Sequence, residues 1–152
     1  MQAAVDPFHP LLRLIDRYRA DVHELRPPPP ADALATAVEA IGQPLPPSLR
    51  AFLERWNGAL LFRGALRIRA ASDFAPAARH ARRVIVFADG PAEVDHWAFA
   101  PDGQGGTLFG SWRAPTEANA VGAFIPLHDR FERWLTATLR ILDEDILEPE
   151  AR

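Results

Sequence analysis

The sequence predicts a single-domain α+β fold. Apolar periodicity is helical as far as Trp56, turns strand-like after Gly58, and returns to helical spacing from Leu127 onward. Helices followed by an antiparallel meander and a closing helix give a twisted antiparallel sheet of about five or six strands, with the N-terminal helices and the C-terminal helix packed on it. At 152 residues, 48% hydrophobic and 24% charged, the chain is long enough to bury a core without a disulfide or metal staple.

Each element follows from local chemistry. Phe8, Leu11, Leu12, Ile15, Tyr18, Val22 and Leu25 recur at helical spacing, so residues 7–25 read as an amphipathic helix. Pro27 to Pro30 end it and form a stiff extended spacer. A second helix is expected over 31–41, with Leu34, Val38 and Ile41 on one face and Gly42 as its stop. Pro46-Pro47-Ser48 opens a third, where a first-turn proline loses no hydrogen bond, and Leu49, Phe52, Leu53 and Trp56 form its apolar stripe before Asn57-Gly58.

Ala59–Phe62 and Leu66–Ile68, joined by Arg63-Gly64, read as a hairpin with Arg67 and Arg69 on the face opposite Leu66 and Ile68. Residues 72–82 read as a short helix or loop. Val84–Ala88 is continuously apolar, the pattern of a buried central strand, and Asp89-Gly90 turns it. Trp97 and Phe99 alternate with His96 and Ala98 in the next strand, Pro101-Asp102-Gly103 turns again, and Thr107–Trp112 forms a further strand. Leu127, Phe131, Trp134, Leu135, Thr138, Leu139 and Leu142 line one face of a final helix. The chain thus divides into an N-terminal helix and proline spacer (1–30), the α+β domain (31–145) and an acidic, frayed tail (146–152).

Composition removes whole classes of chemistry. There is no cysteine, hence no disulfide, thiolate nucleophile, cysteine zinc site or iron–sulfur cluster. All 17 basic residues are arginine, which removes Schiff-base and phosphate-loop lysines. No apolar run approaches a membrane span and no secretory signal is visible, so no membrane association and a cytoplasmic location are expected. The net charge of −3 is uneven: residues 50–83 carry eight arginines against two acids, and residues 84–152 carry five against twelve.

Catalytic templates find no match. The histidines at 9, 23, 80, 96 and 128 show no metal-ligand spacing; His23, beside the proline run, reads as solvated, and His96 as lying on an exposed strand face among carboxylates. Asp89, Glu93, Asp95 and Asp102 lack the pattern of a calcium loop, and Ser111 lacks the second glycine of a nucleophile elbow. The arginine-rich segment comes with no nucleic-acid-binding signature in a net-negative chain. No cofactor, metal or nucleic-acid ligand is expected. What is left is binding: acidic Asp89, Glu93, Asp95 and Asp102 with His96, and Trp97 and Trp112 as interface anchors, or alternatively Arg63, Arg67 and Arg69.

Leu45-Pro46-Pro47-Ser48-Leu49-Arg50-Ala51-Phe52-Leu53-Glu54-Arg55-Trp56-Asn57-Gly58 resembles the opening motif of the SUKH superfamily (the Smi/Knr type), a proline-started helix ending in Asn-Gly before the first strand. Val84–Gly90 resembles its central strand and turn, and Phe131-Glu132-Arg133-Trp134-Leu135 its C-terminal helix. The likeness spans about 42–142. Ala59 stands where a further glycine is usual, and Pro91-Ala92-Glu93-Val94 replaces a common Gly-Asp. The resemblance implies a non-catalytic binding scaffold, many bacterial members being immunity proteins that silence a cognate toxin, often a nuclease. The expectation is therefore a protein that occludes a toxin's active site or substrate groove, the alternative being a regulatory or scaffold module docking through its N-terminal helix.

Overall fold

The computed structural model describes residues 8–9, 11–13, 23–79, 82–90, 95–113 and 123–150. Among these residues, helices α1 (Ala33–Ile41), α2 (Pro47–Arg55) and α3 (Phe131–Glu150) accompany strands β1 (Glu24–Leu25), β2 (Ala59–Leu61), β3 (Leu66–Ile68), β4 (Ala75–Arg79), β5 (Arg82–Asp89), β6 (Asp95–Pro101), β7 (Thr107–Arg113) and β8 (Ala123–His128). The strands form one antiparallel sheet in the order β1-β2-β3-β5-β6-β7-β8. β3 and β4 lie end to end along the same edge of β5, pairing with residues 88–89 and 82–86 respectively.

The α+β class and the antiparallel sheet agree with the sequence reading; the eight strands among the described residues exceed the five or six expected. The additions have physical causes. β4 holds Pro76 and three alanines, a weak strand pattern, but it borders β5 on one side only, where a missing N–H is tolerated. It replaces the helix or loop expected over 72–82, with a single 3₁₀ turn, Ala71–Asp73, before it. β8 contains Pro126 and a bulge at Leu127, which conceal its alternation. Leu127 therefore belongs to β8 and is exposed, not to the face of α3. The helix expected to reach residue 25 does not do so: Glu24 and Leu25 pair with Leu60 and Ala59. The acidic tail is helical as far as Glu150.

Each face of the sheet carries a buried apolar cluster. The helices cover one face, over an aromatic cluster in which Phe87 touches Phe99, Phe109, Phe131 and Trp134. Phe8 and Leu11 are part of this core, Phe8 packing edge-on against Phe52, Trp56 and Phe131. Val84, Val86, Ala98, Ala100, Trp112 and Phe124 form a second, smaller cluster on the other face. Two glycines are required by close approach. Gly58 has φ +96° and stands where a Cβ would lie 2.7 Å from the Ile68 carbonyl oxygen. At Gly110, a Cβ would fall onto the backbone of Ile125 in β8.

Candidate functional site

The site lies at the end of the sheet where β5 leads to β6, and a bulge creates its geometry. Val86 pairs with Ala98 but Ala88 pairs with Trp97, leaving Phe87 as the extra residue of β5. The bulge keeps both Phe87 and Ala88 in the helix-side core. It thereby turns Asp89 to the opposite face, directly across from His96 on one side and Arg67 on the other. One pairing row therefore runs Arg67, Asp89, His96, Trp112, Phe124.

Asp89 is the centre of a closed polar cluster. Arg69 grips it with a forked pair of bonds, Nε to Oδ2 at 2.9 Å and Nη2 to Oδ1 at 2.7 Å, and His96 Nδ1 meets Oδ1 at 2.7 Å. Arg69 Nη1 also donates to the Asp73 carbonyl. All three side chains are about four-fifths buried. Burial alone would push the Asp89 carboxyl upward; the bonds and charges of Arg69 and His96 outweigh it and hold the group below its ordinary value. An ionised carboxylate only accepts, so His96 Nδ1 carries a proton and, in the neutral ring, Nε2 is an acceptor. An aspartate-oriented histidine is half of a proton-transfer dyad. The Ser111 side chain does not complete it, because Ser111 pairs with Trp97 and so faces away from His96.

Beside this cluster, between the sheet and α3, lies a cavity of about 560 Å³. Leu66, Trp97, Ile125 and Leu142 give it apolar walls, and Ser111 and Thr138 place hydroxyls in them; His96, Trp112 and Arg113 also border it. Trp97 joins the cavity to the core through an edge contact with Trp134 at 5.6 Å. Ile125 is 56% exposed.

The structure thus brings together Asp89, His96, Trp97, Trp112, Arg67 and Arg69, which the sequence reading had divided between two alternative surfaces. Trp112 is buried in the second core cluster, which corrects its reading as an interface anchor. His96 is paired and largely buried, not free on an exposed face. Asp102 is not part of this site: it sits beyond the far end of β6, roughly 20 Å away at a strand rise of about 3.3 Å per residue. There it closes its own turn, accepting from the N–H groups of Gln104 and Gly106, which hold its carboxyl below the ordinary value. Arg67 is exposed and 3.7 Å from Asp73. Glu93 and the side chains of Arg63 and Asp95 lie outside the described residues. Among the described residues no group of three or more histidine and carboxylate side chains could hold a metal, and no helix is long and apolar enough to cross a membrane.

The sequence reading missed two features. His23 is buried, not solvated: its Nδ1 accepts the Phe62 N–H at 3.1 Å, and its ring stands edge-on to Phe62, whose φ of 52° is unusual for a non-glycine residue. The cavity itself leaves no local signal, since its walls come from β3, β6, β7, β8 and α3. Comparison with protein-family profiles, with curated proteins and with solved structures finds no match to the chain.

Proposed function

We propose that the chain is a protein-binding module of the SUKH immunity type, which neutralises a cognate toxin by covering its active site or substrate groove. One observation carries this reading. At the site, Asp89, Arg69 and His96 Nδ1 are engaged with one another, while the mainly apolar cavity beside them is open and has an exposed aliphatic residue in its wall. Closed polar groups beside an open apolar hollow suit recognition of a surface better than turnover of a substrate.

The resemblance adds support through elements in keeping with it. Pro47 opens α2, Gly58 follows it at positive φ before β2, Val84–Asp89 runs through the middle of the sheet, and Phe131 opens α3. The N-terminal docking element of the alternative reading draws no support, because Phe8 and Leu11 are core residues.

The test is calorimetric titration of the purified protein with the toxin-like product of a neighbouring gene. The expected result is one-to-one binding with a dissociation constant at or below about 10 nM, the range of tight, specific complexes. No heat, together with separate elution of the two proteins, would overturn the proposal.

A further inference from the structure

We infer that the cavity between α3 and the β6–β8 end of the sheet is a socket for one large apolar side chain, presented by a basic segment of the protein partner. This rests on the reading of the chain as a protein-binding module and names the chemistry that its partner must offer.

The walls set the first requirement. Leu66, Trp97, Ile125 and Leu142 make a mainly apolar hollow of about 560 Å³, within the usual range of binding pockets of roughly 300–1,000 Å³. An aromatic or branched aliphatic side chain fits that space, and the Ser111 and Thr138 hydroxyls can satisfy one polar tip or backbone group entering with it. No carboxylate lines the hollow among the described residues, so a cation does not belong inside. Ile125 stands 56% exposed in the wall, a cost in water that a docked partner relieves.

Charge sets the second requirement. α3 continues past Leu142, a wall of the cavity, straight into residues 143–150, which hold five acids and no base. This is the negative end of the helix dipole, where acids weaken a helix and bases would strengthen it. Folding stability does not account for that choice. A partner segment with lysine or arginine on either side of its apolar anchor does.

The experiment uses the intact protein and three synthetic peptides: a central Phe flanked by arginines, the same peptide with Ala at the centre, and the Phe peptide flanked by glutamates. Binding is followed by amide and indole NMR shifts and by tryptophan emission. The arginine-flanked Phe peptide is expected to move the signals of Trp97, Ser111 and Thr138 and to bind at least about tenfold more tightly than the other two, a typical single-anchor effect. Thr138→Phe, which puts a ring into the hollow beside Leu142, should weaken binding at least about tenfold. Ile125→Ser, a neutral change at an exposed position that leaves the fold intact, should weaken it about tenfold and serves if the first variant does not fold. Equal binding of the three peptides, no binding of any of them, or unchanged binding to Ile125→Ser would overturn the inference. So would uptake of free indole or a medium-chain fatty acid with no response to the basic peptide, which would make the hollow a small-molecule site. If the neighbouring-gene product binds Ile125→Ser as tightly as the parent protein, the socket is wrong while the binding-module reading stands.

Discussion

Arg69 and Asp89 face each other through two parallel hydrogen bonds of 2.9 and 2.7 Å, a forked pair that exists because the bulge at Phe87 turns Asp89 away from the aromatic core. The pair joins the basic segment 50–83 to the first acid of the negative segment 84–152. One charge of each sign in the asymmetry along the chain is thus neutralised internally at this point. Asp89 acts as a structural anchor for Arg69 and His96.

Asp89→Asn should lower stability by roughly 1–3 kcal/mol at neutral pH, the usual range for loss of a charge-assisted, partly buried bond. The folded-state carboxyl is held below its ordinary value, so on acidification the unfolded chain takes up this proton first. The stabilisation is complete above the unfolded value of about 3.9 and is lost as pH falls through the lower folded value. Denaturant melts of both proteins between pH 7 and pH 2 should show the gap between them narrowing only below about pH 4. A gap that persists unchanged at the acid end would contradict this assignment.

Gly110→Ala should damage the β7–β8 pairing. The added Cβ would fall on the Ile125 carbonyl and lie 2.8 Å from the Pro126 Cα, both backbone atoms that cannot turn aside. The expected cost is roughly 1–3 kcal/mol or more, as for overpacking in a filled interior. Hydrogen exchange should show β8 losing protection before β5. Equal protection in the variant and the parent would rule out the close approach.

How much of this was legible in the sequence follows from where each signal resides. Local patterns are strong for α1, α2, β5 and α3: helical spacing in the three helices, a first-turn proline in α2, a following glycine after α1, and a continuous apolar run in β5. They fail for β4 and β8, where Pro76 and Pro126 read as breakers but sit where the sheet tolerates them. The site was half visible: His96, Asp89 and Trp97 stood out by residue type. Their relation to Arg69 depends on one extra residue at Phe87, which moves Asp89 from one face to the other without changing composition or period. His23 looked solvated because its partner, the Phe62 N–H, lies 39 residues away.

Phe8→Ala should destabilise the whole domain by roughly 3–5 kcal/mol, since it removes a buried ring that touches α2 and α3. Removal of residues 1–30, which also deletes β1 and His23, should leave a chain that does not unfold cooperatively. Calorimetry of both variants checks this. A truncated protein with a parent-like transition would return the N-terminal segment to the role of a separate docking element.

Steering by acids should depend on residues 143–150 and not on Asp102. Asp102→Asn changes a turn at the far end of β6 and should leave the association rate with the cognate partner within about twofold. Asp143, Glu144 and Asp145 changed together to Asn or Gln should slow association by about tenfold at low salt, and the effect should fade toward 1 M salt, where the screening length is about 3 Å. Stopped-flow mixing across a salt series separates the two. A triple variant that associates as fast as the parent would move the steering surface elsewhere, first to exposed Arg67.

The most direct test of the central claim is the activity of the toxin-like product of the neighbouring gene, measured while this protein is titrated into it. Occlusion of an active site or groove predicts a linear fall in activity that reaches zero at one equivalent. Full activity retained in the presence of a large excess would contradict the account.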